Sequence, residues 1–370
     1  VTTLRSFSAR ADIEAILADR NAVRIDVPVL QPAEPFLDTA GEELRRRIFL
    51  TQNQNGRAMC LRPEFTIPVC LQHIEGGAPS GRYGYVGTAF RQRDAGPSEF
   101  LQAGIEDIGE TDTNAADARS VADALACVSD LGVRADKCEI IIGDQAVFDQ
   151  VLAALGLPSG WRLRLAHAFG HDATLEATLD RLAHPITMPD LPESILQAAQ
   201  SGDSAKLEEL ITTAMDAASL SNAGGRTPAE VAKRLQAKFA QSQLVPEEAK
   251  LDILRKFLSI SVPLDQSVAV LRGFEKDNKI DLAPAIAVFE ERNKSLIAAG
   301  LDLSAIIYNA SFGRRLDYYT GLVYELRSRS GDVLVGGGRY DRLLPLLGAE
   351  KATPGVGFSI WLDRIAEASA

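Results

Sequence analysis

Arg314-Arg315-Leu316-Asp317-Tyr318-Tyr319-Thr320-Gly321, followed at once by Leu322-Val323-Tyr324-Glu325-Leu326, is the stretch on which the reading of this chain turns. Charged and hydroxyl-bearing residues sit here directly beside an apolar strand-like run, so the octet places polar chemistry against a sheet. Four further clusters share that texture: Leu61–Thr66, Phe90–Arg93, Phe100–Glu106, and Gly336–Asp341 with Thr353–Phe358 after it. In Phe100-Leu101-Gln102-Ala103-Gly104-Ile105-Glu106, the period of two puts Gln102, Gly104 and Glu106 on one face and Leu101, Ala103 and Ile105 on the other. Either a polar ligand lies against that glycine or the face is a solvated outer surface. Tyr318-Tyr319 reads as packing or as ligand contact. Gly336-Gly337-Gly338 calls for a sharp turn or a close backbone approach. It lacks the spacing and the Lys-Ser/Thr ending of a phosphate-binding loop.

Working outward, strand-like runs occupy Val23–Leu30, Ala58–Leu61, Tyr83–Val86 through Ala89–Phe90, and Phe100–Ile108, as in an antiparallel meander. Further strands are expected at Cys138–Gly143, Ala305–Tyr308, Leu322–Leu326, Val333–Val335 and from Val356 onward. Helical segments are expected at Ala11–Ala18, Ala115–Leu131 and Gln145–Leu155, and the chain between His184 and Gly300 is almost wholly helical. There Thr227-Pro228-Ala229-Glu230 forms a capping box, and Val231, Leu235 and Phe239 follow on one apolar face. The expected fold is α+β, with a sheet assembled from both ends of the chain. Its core is 1–183 with 301–370, and 184–300 is a helical insertion.

Composition narrows the function. The 370 residues are 46% hydrophobic and 24% charged, enough to bury about two domains' worth of core. A net charge of −11 disfavours binding to a long polyanion such as nucleic acid and leaves room for a local basic pocket. The sequence has no apolar run long enough for a membrane span, and its start at Val1 has no secretory pattern, so the expected address is cytoplasmic. Cys60, Cys70, Cys127 and Cys138 show no CxxC spacing and read as buried thiols. His167 and His171 stand at i, i+4 without a third ligand, and His73 and His184 are isolated, so neither a metal site nor a hydrolytic triad is expected.

Together the clusters resemble the catalytic core of histidyl-tRNA synthetase, a class II aminoacyl-tRNA synthetase. The Pro28 region is similar to motif 1, which forms the dimer interface in that class. Tyr85 to Gly109 is similar to motif 2, and Thr353 to Arg364 to motif 3. Arg314–Gly321 resembles the histidine-specific signature with Arg315 in place of its glycine, and Gly336–Asp341 matches the second signature. The resemblance implies a class II synthetase-like antiparallel sheet flanked by helices. It also implies a histidine pocket: Glu64, Thr66 and Gln102 for the α-amino group, and Arg91 or Arg314 for the carboxylate. Glu106 and Tyr319, assisted by Tyr318, would meet the imidazole. Those residue types suit a zwitterion with a ring that needs an acceptor and a donor.

The nucleotide half departs from the family. Arg93 stands where the family has a glutamate that accepts from adenine, so an acceptor has become a donor-only cation. The motif 2 loop is cut to Asp94-Ala95-Gly96-Pro97-Ser98, and Trp361 replaces a glycine beside the nucleotide, while Arg364 remains. The sequence ends at Ala370, six residues after Arg364, where the synthetases continue into an anticodon-binding domain. A kept histidine pocket beside lost ATP and tRNA functions is the pattern of the ATP phosphoribosyltransferase regulatory subunits. The resemblance therefore implies a non-catalytic histidine sensor without cofactor or metal, a homodimer within a hetero-oligomer. Its partner is the short catalytic subunit that condenses ATP with phosphoribosyl pyrophosphate. Two other readings compete: a catalytic-domain-only enzyme that activates histidine with ATP, and an RNA-binding sensor of uncharged tRNA.

Overall fold

The computed structural model describes residues 7–39, 42–93, 96–183, 191–217, 227–242, 248–314 and 318–369. Asp94, Ala95, His184, Arg315, Leu316 and Asp317 lie outside the described residues.

The first part of the chain sets down α1 (Phe7–Ala18), β1 (Val23–Arg24), β2 (Leu30–Pro32), α2 (Glu34–Thr39), α3 (Glu42–Arg45), β3 (Leu50–Gln52) and β4 (Ala58–Leu61). It continues through α4 (Thr66–Gly76), β5 (Gly81–Phe90), β6 (Glu99–Ile108), α5 (Thr113–Asp130), β7 (Cys138–Asp144) and α6 (Gln145–Ala154). Six helices follow: α7 (Ser159–Ala168), α8 (Asp172–Ala183), α9 (Glu193–Ser201), α10 (Ser204–Ala217), α11 (Pro228–Ser242) and α12 (Glu248–Leu258). The chain then returns through β8 (Ser261–Pro263), α13 (Leu264–Asn278), α14 (Ala283–Ala298), β9 (Ile306–Asn309), β10 (Leu322–Ser328) and β11 (Val333–Arg339). It closes with α15 (Leu343–Leu346), β12 (Gly355–Trp361) and α16 (Leu362–Ala368).

Nine strands make one sheet in the order β1-β5-β6-β12-β11-β10-β7-β9-β8, and β2-β4-β3 make a second. The centre from β5 to β7 is antiparallel, while β1–β5 and β7–β9 are parallel. The sheet is therefore assembled from both ends of the chain, as the pattern required. The Val23–Ile108 part is not a meander, because β1 pairs parallel with β5 and β4 belongs to the second sheet. The Val23–Leu30 run is also broken: Pro28 offers no N–H to a ladder, and the strands stop at Arg24 and resume at Leu30.

The chain divides into two compact units: Leu155–Ala168 with Asp172–Arg255, and the remainder. The first is helical and has its own small core of Ile195, Ala198, Ala199, Leu207, Ile211 and Ala232. Its capping box forms as drawn, with Thr227 N–H donating to the Glu230 carboxylate at 2.8 Å and Glu230 N–H to Thr227 Oγ1 at 3.3 Å. The expected insertion boundaries at 184 and 300 are not where the units part. Helices α13 and α14 group with the sheet because each buries an apolar face, through Leu264, Leu271 and Phe274 in one and Ile286, Phe289 and Leu296 in the other. Periodicity alone marks such helices without saying what they cover.

One sheet face carries α5, with Tyr324 Oη 2.7 Å from Ser120 Oγ, and α14 packs against α5. The opposite face is the floor of the candidate site. At its middle, a Cβ on Gly104 would lie 2.1 Å from the Phe358 carbonyl and 2.4 Å from Tyr85 Oη. Gly104→Ala must therefore push β12 backbone as well as a ring. A loss of about 1–3 kcal/mol in a urea titration is expected; an unchanged midpoint would show the strands free to part.

Candidate functional site

Register builds the floor. Gln102, Gly104 and Glu106 of β6 face Gly87, Tyr85 and Tyr83 on one side and Trp361, Ser359 and Gly357 on the other. Directly opposed residues share a face, so these nine point the same way, joined by Gly336 and Gly338 of β11. The triple glycine is thus strand, and its purpose is close approach. A Cβ on Gly336 would sit 1.3 Å from Arg314 Nη1, so only a bare Cα lets that guanidinium lie on the sheet. The Tyr319 ring lies against the same strand, 2.7 Å from where a Cβ on Gly338 would stand. Glu106 uses the same device: a Cβ on Gly357 would come within 1.8 Å of its Oε2.

Glu64, just before α4, accepts from Thr66 N–H at 2.6 Å through Oε2 and from Ile67 N–H at 3.0 Å through Oε1. It satisfies donors that the helix start leaves open, and each oxygen keeps an acceptor position. Thr66 Oγ1 donates to Glu106 Oε1 at 2.7 Å, and Tyr340 Oη donates to Glu106 Oε2 at 2.5 Å. Burial pushes Glu106 up to about 8; the Tyr340 and Thr66 hydrogen bonds pull it down, and nearby Glu64 pushes it further up. Glu64 is also raised, by burial, against its backbone hydrogen bonds and Arg91.

Gln102 is 1% exposed, and neither its amide nitrogen nor its amide oxygen has a partner among the described residues. Tyr318 is buried with its ring edge-on to Tyr340, at 6.1 Å, and tilted against Tyr319. Burial pushes the Tyr319 hydroxyl up to about 12, with Arg314 opposing. Arg91 donates through Nε to the Pro63 carbonyl at 2.7 Å, and burial lowers it to about 10 against Glu64. Arg314 lies 3.9 Å from Glu325. The structure thus brings Glu64, Thr66 and Glu106 into one hydrogen-bonded group, and Arg91, Gln102, Arg314, Tyr318 and Tyr319 line the same side of the sheet.

Two residues were missed. Tyr340 completes the Glu106 cradle and was visible only as part of the Gly336–Asp341 cluster. Tyr85 fills the room expected above Gly104, its ring stacked on Phe65 at 4.4 Å and its hydroxyl 2.7 Å from Ser359 Oγ. Gln102 and Glu106 therefore stand on either side of an aromatic ring. His73, read as isolated, meets the Tyr83 hydroxyl through Nδ1 at 2.8 Å, and Cys138 is only half-buried. Among the described residues, no group of three or more His, Cys, Asp or Glu is placed to hold a metal ion. At the other end of the floor, the Arg93 guanidinium lies 4.1 Å from the Phe100 ring centroid. Trp361 is buried between Arg364, at 5.2 Å, and Arg314, at 5.8 Å.

The chain is similar to known proteins in sequence and in fold. Residues 22–365 match the family described as histidyl-tRNA synthetase. ATP phosphoribosyltransferase regulatory subunits of Brucella ovis and Brucella abortus are each 51% identical over 350 residues, covering 94% of this chain and 93% and 92% of theirs. In three dimensions the chain is similar to an ATP phosphoribosyltransferase regulatory subunit/histidyl-tRNA synthetase from Bacillus halodurans, at a TM-score of 0.66 and 20% identity over 98% of this chain and 78% of the other. A histidyl-tRNA synthetase from Nostoc gives 0.60 at 16% identity, over 97% and 70%. These similarities establish the class II synthetase-like fold.

Proposed function

The chain belongs to the ATP phosphoribosyltransferase regulatory subunits, which are built on the histidyl-tRNA synthetase framework, and from that premise we propose that it is a non-catalytic histidine sensor. Its partner is the short ATP phosphoribosyltransferase chain, which it activates and through which histidine inhibits the first step of histidine biosynthesis. L-Histidine lies on the sheet floor, its α-amino group toward Glu64, Thr66 and Gln102 and its carboxylate toward Arg91 or Arg314. Its ring lies between Glu106 and Tyr319, with Tyr318 behind. The observation that carries this reading is the buried Gln102 amide without a partner. Such a group costs about 1–3 kcal/mol, which a ligand that bonds it recovers. Glu64 and two arginines on the same side supply partners for the two charges of a zwitterion. Val29, Leu30 and Leu50 stand exposed around the small second sheet, which supports the expected homodimer through the Pro28 region. No described helix is long and apolar enough to cross a membrane; the cytoplasm remains the expected address.

Histidine can inhibit only by binding one state of the complex better than another. Reconstitution with the short catalytic chain is expected to give turnover that depends on this protein and is suppressed by L-histidine. The protein alone is expected to show no histidine-dependent ATP–pyrophosphate exchange. Robust exchange would instead establish the ATP-dependent enzyme reading.

A further inference from the structure

Three buried side-chain polar atoms that have no partner among the described residues gather where α14 covers the β7–β9 pair: Arg292 Nε, Asn293 Oδ1 and Tyr308 Oη. Their residues are 3%, 6% and 0% exposed, so bulk water does not reach them. Phe289, one turn before Asn293 on α14, marks the meeting point. The Tyr308 ring meets it edge-on at 5.0 Å, and the Arg292 guanidinium lies over it at 4.8 Å. Tyr308 stands opposite Ile142 across the parallel β7–β9 ladder, and Asp144, two residues on, shares that face. Arg292 Nη2 donates to Asp144 at 2.5 Å, while its Nε–H stays unused. On the other side, Asn293 Nδ2 reaches Ser267 Oγ of α13 at 3.4 Å, and Ser267 donates to the Leu264 carbonyl at 2.5 Å. The amide nitrogen of Asn293 is thus engaged and its oxygen is not.

The three open atoms are complementary, yet none is bonded to another. Arg292 Nε–H can only donate, Asn293 Oδ1 can only accept, and the Tyr308 hydroxyl can do either. Burial pushes the hydroxyl up from its ordinary pKa, with Asp144 adding to this and Arg292 opposing, so it stays protonated and neutral. The charges around it are already paired: Arg292 with Asp144 and Asp117, and Arg339 with Asp117 and Asp341. A further ion is therefore not called for. What fits is a small neutral group that both accepts and donates, and internal waters make about three hydrogen bonds of this kind. We propose that α14 is seated on the sheet through an internal water site, in which one water accepts from Arg292 Nε–H, donates to Asn293 Oδ1 and bonds the Tyr308 hydroxyl. The water joins the Asn293–Ser267 bond, which ties α14 to α13, to the Asp144–Arg292–Asp117–Arg339 set, which ties α14 to β7, α5 and β11. A phenylalanine at position 308 would fill nearly the same volume with no hydroxyl to satisfy, so the hydroxyl has a use only if something bonds it. No residue assigned to the histidine site takes part, so the water site stands whatever the opposite face of the sheet binds.

The sign of one substitution tests this. Removing a buried hydroxyl that bonds nothing relieves a desolvation cost, whereas removing one that holds a water leaves that water and its other partners short of a bond. In urea titrations of the full-length chain, Tyr308→Phe is expected to raise the unfolding equilibrium constant by about 5- to 30-fold. Asn293→Ala is expected to have a smaller effect in the Tyr308→Phe background than in wild type, because the two groups share one water. Loss of the Ser267 bond is common to both backgrounds and cancels. A high-resolution crystal structure of the full-length chain is expected to show a water within about 3.2 Å of all three atoms. Three results overturn the proposal: Tyr308→Phe as stable as wild type or more so, strictly additive effects of the two substitutions, or a Tyr308 hydroxyl bonded directly to a protein atom with no water between.

Discussion

Glu106→Gln is expected to weaken L-histidine binding by about 10- to 150-fold, the range for losing one charged hydrogen bond, while stabilising the ligand-free chain near neutral pH. The two effects have opposite signs because the carboxylate is held where water is excluded. In the unfolded chain the group gives up its proton near 4.5, and in the fold it keeps it to about 8, chiefly because of burial. Between those values the native state binds the extra proton, so stability is full below about pH 4.5 and declines as pH rises through 8. The groups around it do not reverse this: Thr66 and Tyr340 donate to the carboxylate, while Glu64 adds like charge. Glutamine keeps the shape and removes the titration. Melting temperatures from pH 5 to 8.5 should show wild type falling more steeply than the variant, with Glu64, also raised, leaving a residual slope. Calorimetry with L-histidine gives the affinity. A variant that loses stability and affinity together would mark Glu106 as merely structural, and unchanged affinity would place the ligand elsewhere.

That much of the site could be read from the sequence follows from where its information lies. Gln102, Gly104 and Glu106 sit within five consecutive residues of one strand, and a period of two is enough to put them on one face. The Arg314 octet and the glycine run were visible as clusters for the same reason. What was hidden depends on register between strands far apart in the chain. Nothing near Tyr85 announces that it lies across Gly104, because that contact exists only once β5 and β6 pair. Tyr340 meets Glu106 across 234 positions. Nor does the helical texture of α13 and α14 distinguish a helix that covers the sheet from one in a separate unit. Their contribution is decided by partners elsewhere, most clearly at Arg292.

Asp117→Ala is expected to cost about 3–5 kcal/mol, the usual loss when one member of a buried ion pair is removed, out of a total stability of about 5–15 kcal/mol. Asp117 on α5 accepts from Arg339 at 2.7–2.8 Å and stands 4.0 Å from Arg292 of α14, which is bonded in turn to Asp144 at 2.5 Å. All four side chains are nearly inaccessible, at 3–7%. Burial raises Asp117 even against both arginines, so desolvation dominates and the pairing serves to offset it. Without the carboxylate, Arg339 keeps Asp341 and the Thr113 carbonyl, and Arg292 keeps Asp144 and the face of the Phe289 ring. The consequence reaches the candidate site. The Arg339 carbonyl accepts Thr320 N–H at 2.8 Å, which fixes the strip carrying Tyr318 and Tyr319, and the next residue is Tyr340. Histidine affinity should therefore fall along with stability, unlike in Glu106→Gln, where the two separate. Asp136→Ala is the control, because its pairing with Arg134 is solvent-exposed and screened by water and salt. Urea titrations of both variants decide the matter: if Asp117→Ala falls within about 1 kcal/mol of wild type, the buried network is not what holds α5 and α14 to the strands beneath the site.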